Sequence, residues 1–530
     1  MDLAQELANS NLPAAVRAAI LAQSVLLAQH TELVTQQDQQ LKQYVSDIQN
    51  KTQTIEALTM ELAYLRRMRY GAKTEVMNRE QRDLFEEALD ADMAALEAKL
   101  AAEQANNTPE VSDKKPRIRA GRQALPAHLP RTDMVHEPES CSCGQCGQGL
   151  VKVGEDISEQ LHVQPAVFSV LRHIRPQYAC RSCQTMSAAP IPAAIINGGL
   201  PTAATLAWVM VSKYIDHLPL YRLRQIAERS EVPLAETTLA SWVGTVGWWL
   251  QPLADRLRER LKGETVLHAD ETPVKQLDPG KGKTKTAYLW AYRNTPLSGS
   301  APIILFDYQG GRSGQHVRDF LADWQGQLMV DDYGGYKALF KTGVIELGCW
   351  AHARRKFFEL HQANGSPIAA EALRRIGELY ALEAQAKDLN PEQRRALRQQ
   401  QAQPKLLEFK IWLDETGSKV APNSALAKAI IYSHRRWTAL ERYAQSGIAP
   451  IDNNPVENSI RPIAIGKKNW LFAGSERAGQ RAAAIQTLLG TAKLNDLDPM
   501  AWLTDTLEKL PTWPNSRIDE LLPLRRLAET

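Results

Sequence analysis

The segment from Ile451 to Ser475, IDNNPVENSIRPIAIGKKNWLFAGS, sets one carboxylate, Glu457, among amides, basic side chains and a Trp. Alone, Glu457 has a local explanation: Asn454 as N-cap, Pro455 at the first helical position, and Glu457 where a capping-box glutamate reaches back. It gains a chemical one if other carboxylates meet it, and two aspartates upstream end strand-like runs. Asp270 lies in TVLHADETP, where Val266, His268 and Asp270 share one face. Asp331 follows Leu328, Met329 and Val330, just ahead of the turn-like Asp332-Tyr333-Gly334-Gly335. Like charges brought that close repel and raise one another's pKa. A pair of Mg²⁺ ions relieves the repulsion, and two hard cations about 3.5–4 Å apart activate the attacking oxygen and stabilise the leaving one in phosphoryl displacement. The expected chemistry is therefore metal-dependent phosphoryl transfer, with Asp270, Asp331 and Glu457 as catalytic residues and ligands of two Mg²⁺ ions, Mn²⁺ being an alternative.

Such a cage needs a scaffold. Between the two aspartates lie strand-like runs at Thr286 to Arg293, with Tyr288, Trp290 and Tyr292 alternating, and at Pro302 to Tyr308, then a helical segment from Ser313 to Trp324. Strand, strand, strand, helix, strand is the order of a ribonuclease H-like core, whose third carboxylate comes from a later helix.

In that order LHADETPV, MVDDYGGY, CWAHARRKF and IDNNPVENSIRPIAIGKKNWLFAGS resemble the motifs of the DDE transposases of bacterial insertion sequences, and in detail the insertion sequence 66 family. The resemblance extends through a leucine-zipper-like start, paired cysteines and a C-terminal IDELLP. It implies catalytic positions at Asp270, Asp331 and Glu457. One departure is local: where the family usually reads VDGYAGY this chain has Asp332 in place of Gly. Asp331 and Asp332 thus both stand as candidates for the second ligand, with Asp331 preferred because it continues the strand.

The remaining chain of 530 residues, 44% hydrophobic, is long enough for several domains, and nothing in it reads as a membrane span or signal peptide, so the expectation is a cytoplasmic, nucleoid-associated protein. A net charge of +3 does not argue for DNA by itself, but its distribution does. Lys114, Lys115, Arg117, Arg119 and Arg122 cluster, as do Arg354, Arg355 and Lys356, and Lys467 with Lys468. We expect DNA contacts from these clusters, with Trp470 stacking on a base or, equally, packing in the core.

Apolar residues recur at Leu27, Val34, Leu41, Ile48, Ile55 and Leu62, which argues a dimerising coiled coil within residues 1–105. A basic linker follows over 106–130, then a module over 131–195. There Cys143 with Cys146 and Cys180 with Cys183 have the spacing of one structural Zn²⁺ site, leaving Cys141 as a spare ligand. Residues 196–260 have a helix-turn-helix cadence around Val232-Pro233. The catalytic core spans 261–490 with a helical insertion near 360–445, and a helical tail covers 491–530.

The fold class expected is multidomain α+β. The function expected is a DNA transposase that frees a 3′-hydroxyl at the element's terminal inverted repeats and joins it to target DNA, working as a homodimer or higher oligomer, with accessory proteins of the element as further partners. The competing reading is a non-catalytic DNA-binding architectural or regulatory protein built on a decayed core.

Overall fold

In the computed structural model the described residues run from 125 to 525, leaving out 126, 128, 138–150, 165–166 and 279–282, and include scattered positions between Val16 and Lys99. The chain divides into two units, residues 1–68 with 96–115, and residues 69–95 with 116–530. In the first unit the described positions from Val16 to Leu62 are helical. Of the heptad positions, Val34 and Ile48 are exposed and Leu62 is buried. Leu27 and Leu41 lie outside the described residues, as does the basic linker, so the coiled coil and its dimer remain expectations.

The second unit opens with a small sheet. Strand β1 (Arg131–Val135) runs parallel to β3, while β2 (Val151–Gln164) and β3 (Val167–Ala179) form a long antiparallel hairpin and β4 (Met186–Ala188) closes back on the end of β3. Three helices follow: α1 (Ala203–Tyr214), α2 (Leu220–Glu228) and α3 (Glu236–Lys262). The turn at Val232-Pro233 does separate α2 from α3. Helix α3 buries Leu239, Trp242, Val246, Leu250, Leu253, Leu257 and Leu261 on one side and exposes Thr237, Gln251, Asp255, Glu259 and Arg260 on the other.

The central sheet has strand order β7-β6-β5-β8-β9. Its strands are β5 (Val266–Asp278), β6 (Lys283–Asn294), β7 (Ile304–Gln309), β8 (Gln327–Val330) and β9 (Ile345–Gly348). The first three form an antiparallel meander, and β8 and β9 add in parallel to β5 after the crossover helix α4 (Gly314–Leu321). Apolar runs at β5, β6 and β8 suit a sheet covered on both faces, and Trp290, Tyr292 and Leu328 are fully buried there. The turn after β8 packs tightly on α4: a Cβ added at Gly314 would come 2.2 Å from the Gly335 carbonyl oxygen.

Between β9 and the next core helix run five helices, whose hydrophobic cluster includes Val266, Met329 and Leu347 of the sheet: α5 (Trp350–Asn364), α6 (Pro367–Gln385), α7 (Pro391–Leu397), α8 (Gln403–Gly417) and α9 (Ala425–Glu441). Trp350, Phe409 and Trp437 meet at its centre with ring centroids about 6 Å apart. Local signals set the ends: Gly365 takes φ 65° to stop α5, and Ser366 caps α6 with Pro367 in the first turn. The buried guanidinium of Arg398 pairs with Glu383 and donates to the carbonyls of Tyr443, Ser446 and Ala449. That shapes the run of bends leading to Ile451.

Three helices complete the unit: α10 (Asn454–Trp470), α11 (Glu476–Leu494) and α12 (Pro499–Lys509). Helix α11 covers the edge of the sheet. Thr487 and Thr491 accept from the backbone N–H groups of Phe306 and Ile304 at 2.8 and 3.3 Å, satisfying donors that an edge strand would leave open. Among the described residues no helix is long and apolar enough to cross a membrane.

Candidate active site

Strand register brings the two aspartates together. Val266, Leu267 and His268 on β5 pair with Gln327, Leu328 and Met329 on β8. Continued two residues further, past the last residue of β8, this register leads to Asp270 and Asp331, and the Asp331 charge is among those that raise the Asp270 carboxyl. Asp270 Oδ1 accepts the Glu271 N–H at 2.9 Å, and Asp331 Oδ1 accepts the Tyr333 N–H at 2.9 Å. Asp332 turns elsewhere: it pairs with Arg436 at 3.2 Å, which also holds Glu346. The geometry favours Asp331 over Asp332 as the partner of Asp270.

The start of α10 is stapled to the same strand. Asn453 is fully buried. Its Nδ2 donates to the Ala269 carbonyl at 2.9 Å, its Oδ1 lies 3.0 Å from His268 Nδ1, and its backbone N–H donates to Cys349 Sγ at 3.2 Å. Arg293 on β6 adds bonds to the Pro455 carbonyl at 2.7 Å and to Ser459 Oγ at 3.1 Å. His268 and Asp270 alternate onto one face of β5, so the helix anchored at His268 presents its first turn toward Asp270. Glu457 stands in that turn. The capping-box explanation of Glu457 does not hold: the N-cap is Asn453, one residue earlier than expected, its side chain makes no cap bond, and Glu457 falls at the fourth helical position. Asn453 cannot cap because its amide is spent on β5.

The electrostatics fit this convergence. Burial pushes the Asp270 carboxyl up to about 8, and the charges that add to the rise are Glu271, Glu457 and Asp331. Glu271, its side chain 1% exposed, is held by Arg312 at 2.7 Å and by the Tyr336 hydroxyl at 2.8 Å, with Arg312 lying 3.9 Å over the Tyr333 ring. Burial keeps His268 neutral, its pKa lowered to about 4. An all-oxygen donor set carrying uncompensated negative charge suits a hard divalent cation. The three carboxylates do not converge on one point. Among the described residues the one set of three with ligand atoms mutually within 4.8 Å is Cys349, His352 and Glu457. Asp331 and Glu457 each act on the Asp270 carboxyl.

Of the basic residues, Arg354 and Arg355 are exposed on α5 and line a cleft of about 380 Å³ with Ala351, Phe358, Tyr380 and Asn454, beside the start of α10. Lys356 lies 4.5 Å over the Tyr432 ring. The Lys467 ammonium donates to the Pro273 carbonyl at 2.8 Å and ties the end of α10 to β5. Lys468 is exposed. Trp470 is half-buried against the cluster of Val274, Leu289, Tyr308 and Ile463, which assigns it to packing. Lys114, Lys115, Arg117, Arg119, Cys143 and Cys146 lie outside the described residues. Cys180 is buried at the end of β3 and Cys183 exposed on the tight turn to β4, where Gln184 N–H donates to the Cys180 carbonyl. Sequence reasoning missed Asn453, Arg293, His352 and the Glu271–Arg312 pair, although NNP before a helix and the HADE run hold two of them in plain sight.

Comparison with known proteins bears on the whole chain. Residues 198–481 match the model described as "Transposase IS66 family", 487–524 the "IS66 C-terminal element", 140–184 the "zinc-finger binding domain of transposase IS66", and 57–134 the "Transposase C of IS166 homeodomain". Three proteins of Sinorhizobium fredii, each named only as uncharacterized, are similar over most of their length. y4jD is 35% identical, covering 91% of this chain and 97% of its own. For y4qI the identity is 39% with 88% of each covered, and for y4hP 34% with 77% of each.

Proposed function

Since the chain belongs to the IS66 transposase family, we propose that it is a metal-dependent DNA transposase whose catalytic residues are Asp270, Asp331 and Glu457. The observation that best supports this is the Asp270 carboxyl of inner strand β5, raised to about 8 by burial with Glu271, Glu457 from the first turn of α10 and Asp331 from the end of β8 adding to the rise. The sheet order β7-β6-β5-β8-β9, with β6 antiparallel, supports a ribonuclease H-like core.

In this reading Asp270, Asp331 and Glu457 would hold the metal ions. Two Mg²⁺ ions, or Mn²⁺, when bound supply activation of the attacking oxygen and stabilisation of the leaving one. Asn453 and Arg293 hold Glu457 to β5, and Arg312 keeps Glu271 turned away from the pair of aspartates. The substrate is DNA: the phosphodiester at the element's terminal inverted repeat is hydrolysed to free a 3′-hydroxyl, which then attacks target DNA. Arg354 and Arg355, exposed beside the cleft at Asn454, contact the phosphate backbone, and Lys468 adds a further charge. Cys143, Cys146, Cys180 and Cys183 hold one structural Zn²⁺, and the N-terminal coiled coil dimerises the chain.

The test is cleavage of end DNA in Mg²⁺ by Asp331→Asn, Glu457→Gln and Asp332→Asn. The first two should lose cleavage while still binding DNA. Asp332→Asn should retain it, and loss in Asp332→Asn with retention in Asp331→Asn would overturn the assignment.

A further inference from the structure

Cys349 stands at the N-cap of α5 and His352 within its first turn, while Glu457 arrives from the first turn of α10. One ligand atom of each lies within 4.8 Å of the other two. His352 Nδ1 and Glu457 Oε1 face each other at 3.7 Å, too far for a hydrogen bond, and both are buried atoms without a partner. Buried polar atoms are nearly always paired. A cation held by both would fill this gap: tetrahedral zinc ligands, at about 2.0–2.1 Å for nitrogen or oxygen and about 2.3 Å for sulfur, stand roughly 3.3–3.8 Å from one another. The sulfur is already oriented, since the Asn453 N–H donates to it at 3.2 Å, the kind of outer contact that supports a metal-bound thiolate.

We propose that Cys349, His352 and Glu457 form a second transition-metal site, taking a borderline-soft divalent cation of the Zn²⁺ class through one sulfur, one nitrogen and one oxygen, with a fourth position open. Mg²⁺, which takes oxygen ligands, has no preference for this set. Binding releases the Cys349 thiol proton to solvent, so occupancy rises with pH. The site stands on these three side chains alone. Its consequence rests on the transposase reading: a soft cation here draws Glu457 away from the two aspartates and inhibits cleavage.

The experiment titrates the full chain, its N-terminal cysteine module preloaded with one equivalent of Zn²⁺, with Co²⁺. The wild type should take up one further equivalent with a thiolate-to-cobalt charge-transfer band. Cys349→Ser should lose the band, and His352→Ala, a change at a partly exposed residue, should weaken binding at least tenfold. No additional band in the wild type, or an unchanged band and midpoint in both variants, would overturn the site. In parallel, micromolar Zn²⁺ should inhibit Mg²⁺-dependent cleavage by the wild type and not by His352→Ala. Cobalt binding in a protein that never cuts DNA would leave the metal site standing and remove the transposase reading instead.

Discussion

Replacing Asp270 by Asn should stabilise the metal-free protein while abolishing its chemistry. An aspartate in the unfolded chain is ionised at pH 7, whereas in the fold burial and three neighbouring carboxylates raise Asp270 from 3.8 to about 8. The sign follows from proton uptake: between those two values the folded state binds more protons than the unfolded one, so stability is full below about pH 4 and is lost as pH rises toward 8. Each pH unit in that window is worth about 1.4 kcal/mol, which caps the cost at pH 7 near 4 kcal/mol. Asn removes the charge and keeps an oxygen to accept the Glu271 N–H, so that 2.9 Å contact survives. Thermal unfolding in EDTA should therefore show Asp270→Asn melting a few degrees above wild type at pH 8, with the difference closing by pH 4. Added Mg²⁺ should raise the wild-type melting temperature and leave the variant unmoved. A variant that is less stable than wild type at every pH, or a wild type indifferent to Mg²⁺, would refute an uncompensated acidic site.

Asn453→Ala strands the Ala269 carbonyl and His268 in a dry interior and should cost about 1–3 kcal/mol in chemical denaturation, with cleavage falling further than stability predicts because Glu457 loses its anchor. Lys467→Ala should lower the melting temperature, since it removes the bond to Pro273, whereas Lys468→Ala should leave stability alone and reduce the salt slope of DNA binding by about one phosphate contact. Cys180→Ser should lose the zinc of the N-terminal module in elemental analysis and destabilise the β2–β3 hairpin that ends at that residue.

Much of the scaffold was legible because strands announce themselves by period two. The alternation through Tyr288, Trp290 and Tyr292 reads directly as β6, and the apolar run ending in Asp331 as β8. What periodicity cannot supply is register, and register is what sets Asp331 beside Asp270. Nor can it say where an amide goes. Asn453 and Asn454 are equally good caps on paper. The pull of Ala269 and His268 on the first of them shifts the helix start by one residue and takes Glu457 out of the capping position. Cys349 reads as a buried residue at a strand end, which it is, but Glu457 is too far along the chain for the sequence to show that they meet. Charge and aromaticity make Lys467 and Trp470 visible in the sequence, where Trp470 reads equally as stacking or as packing, but the side of β5 on which they lean is not visible there.

The same side chains favour a cation in the proposed site. Four basic groups around it are committed: Arg293 to the Pro455 carbonyl and Ser459, Arg312 to Glu271, Arg436 to Asp332 and Glu346, Lys467 to Pro273. The histidine behind Asp270 is committed too. Asn453 Nδ2 donates to Ala269, so its Oδ1 is left to accept, and His268 must donate from Nδ1 as the neutral tautomer. Its lowered pKa, about 4, removes the imidazolium that would otherwise sit two residues from Asp270. A histidine free to charge there would compete with a bound cation for the same carboxylates. Holding it neutral leaves Asp270 with no charged histidine at its back, and a divalent ion in the proposed site would meet that carboxylate without this competitor.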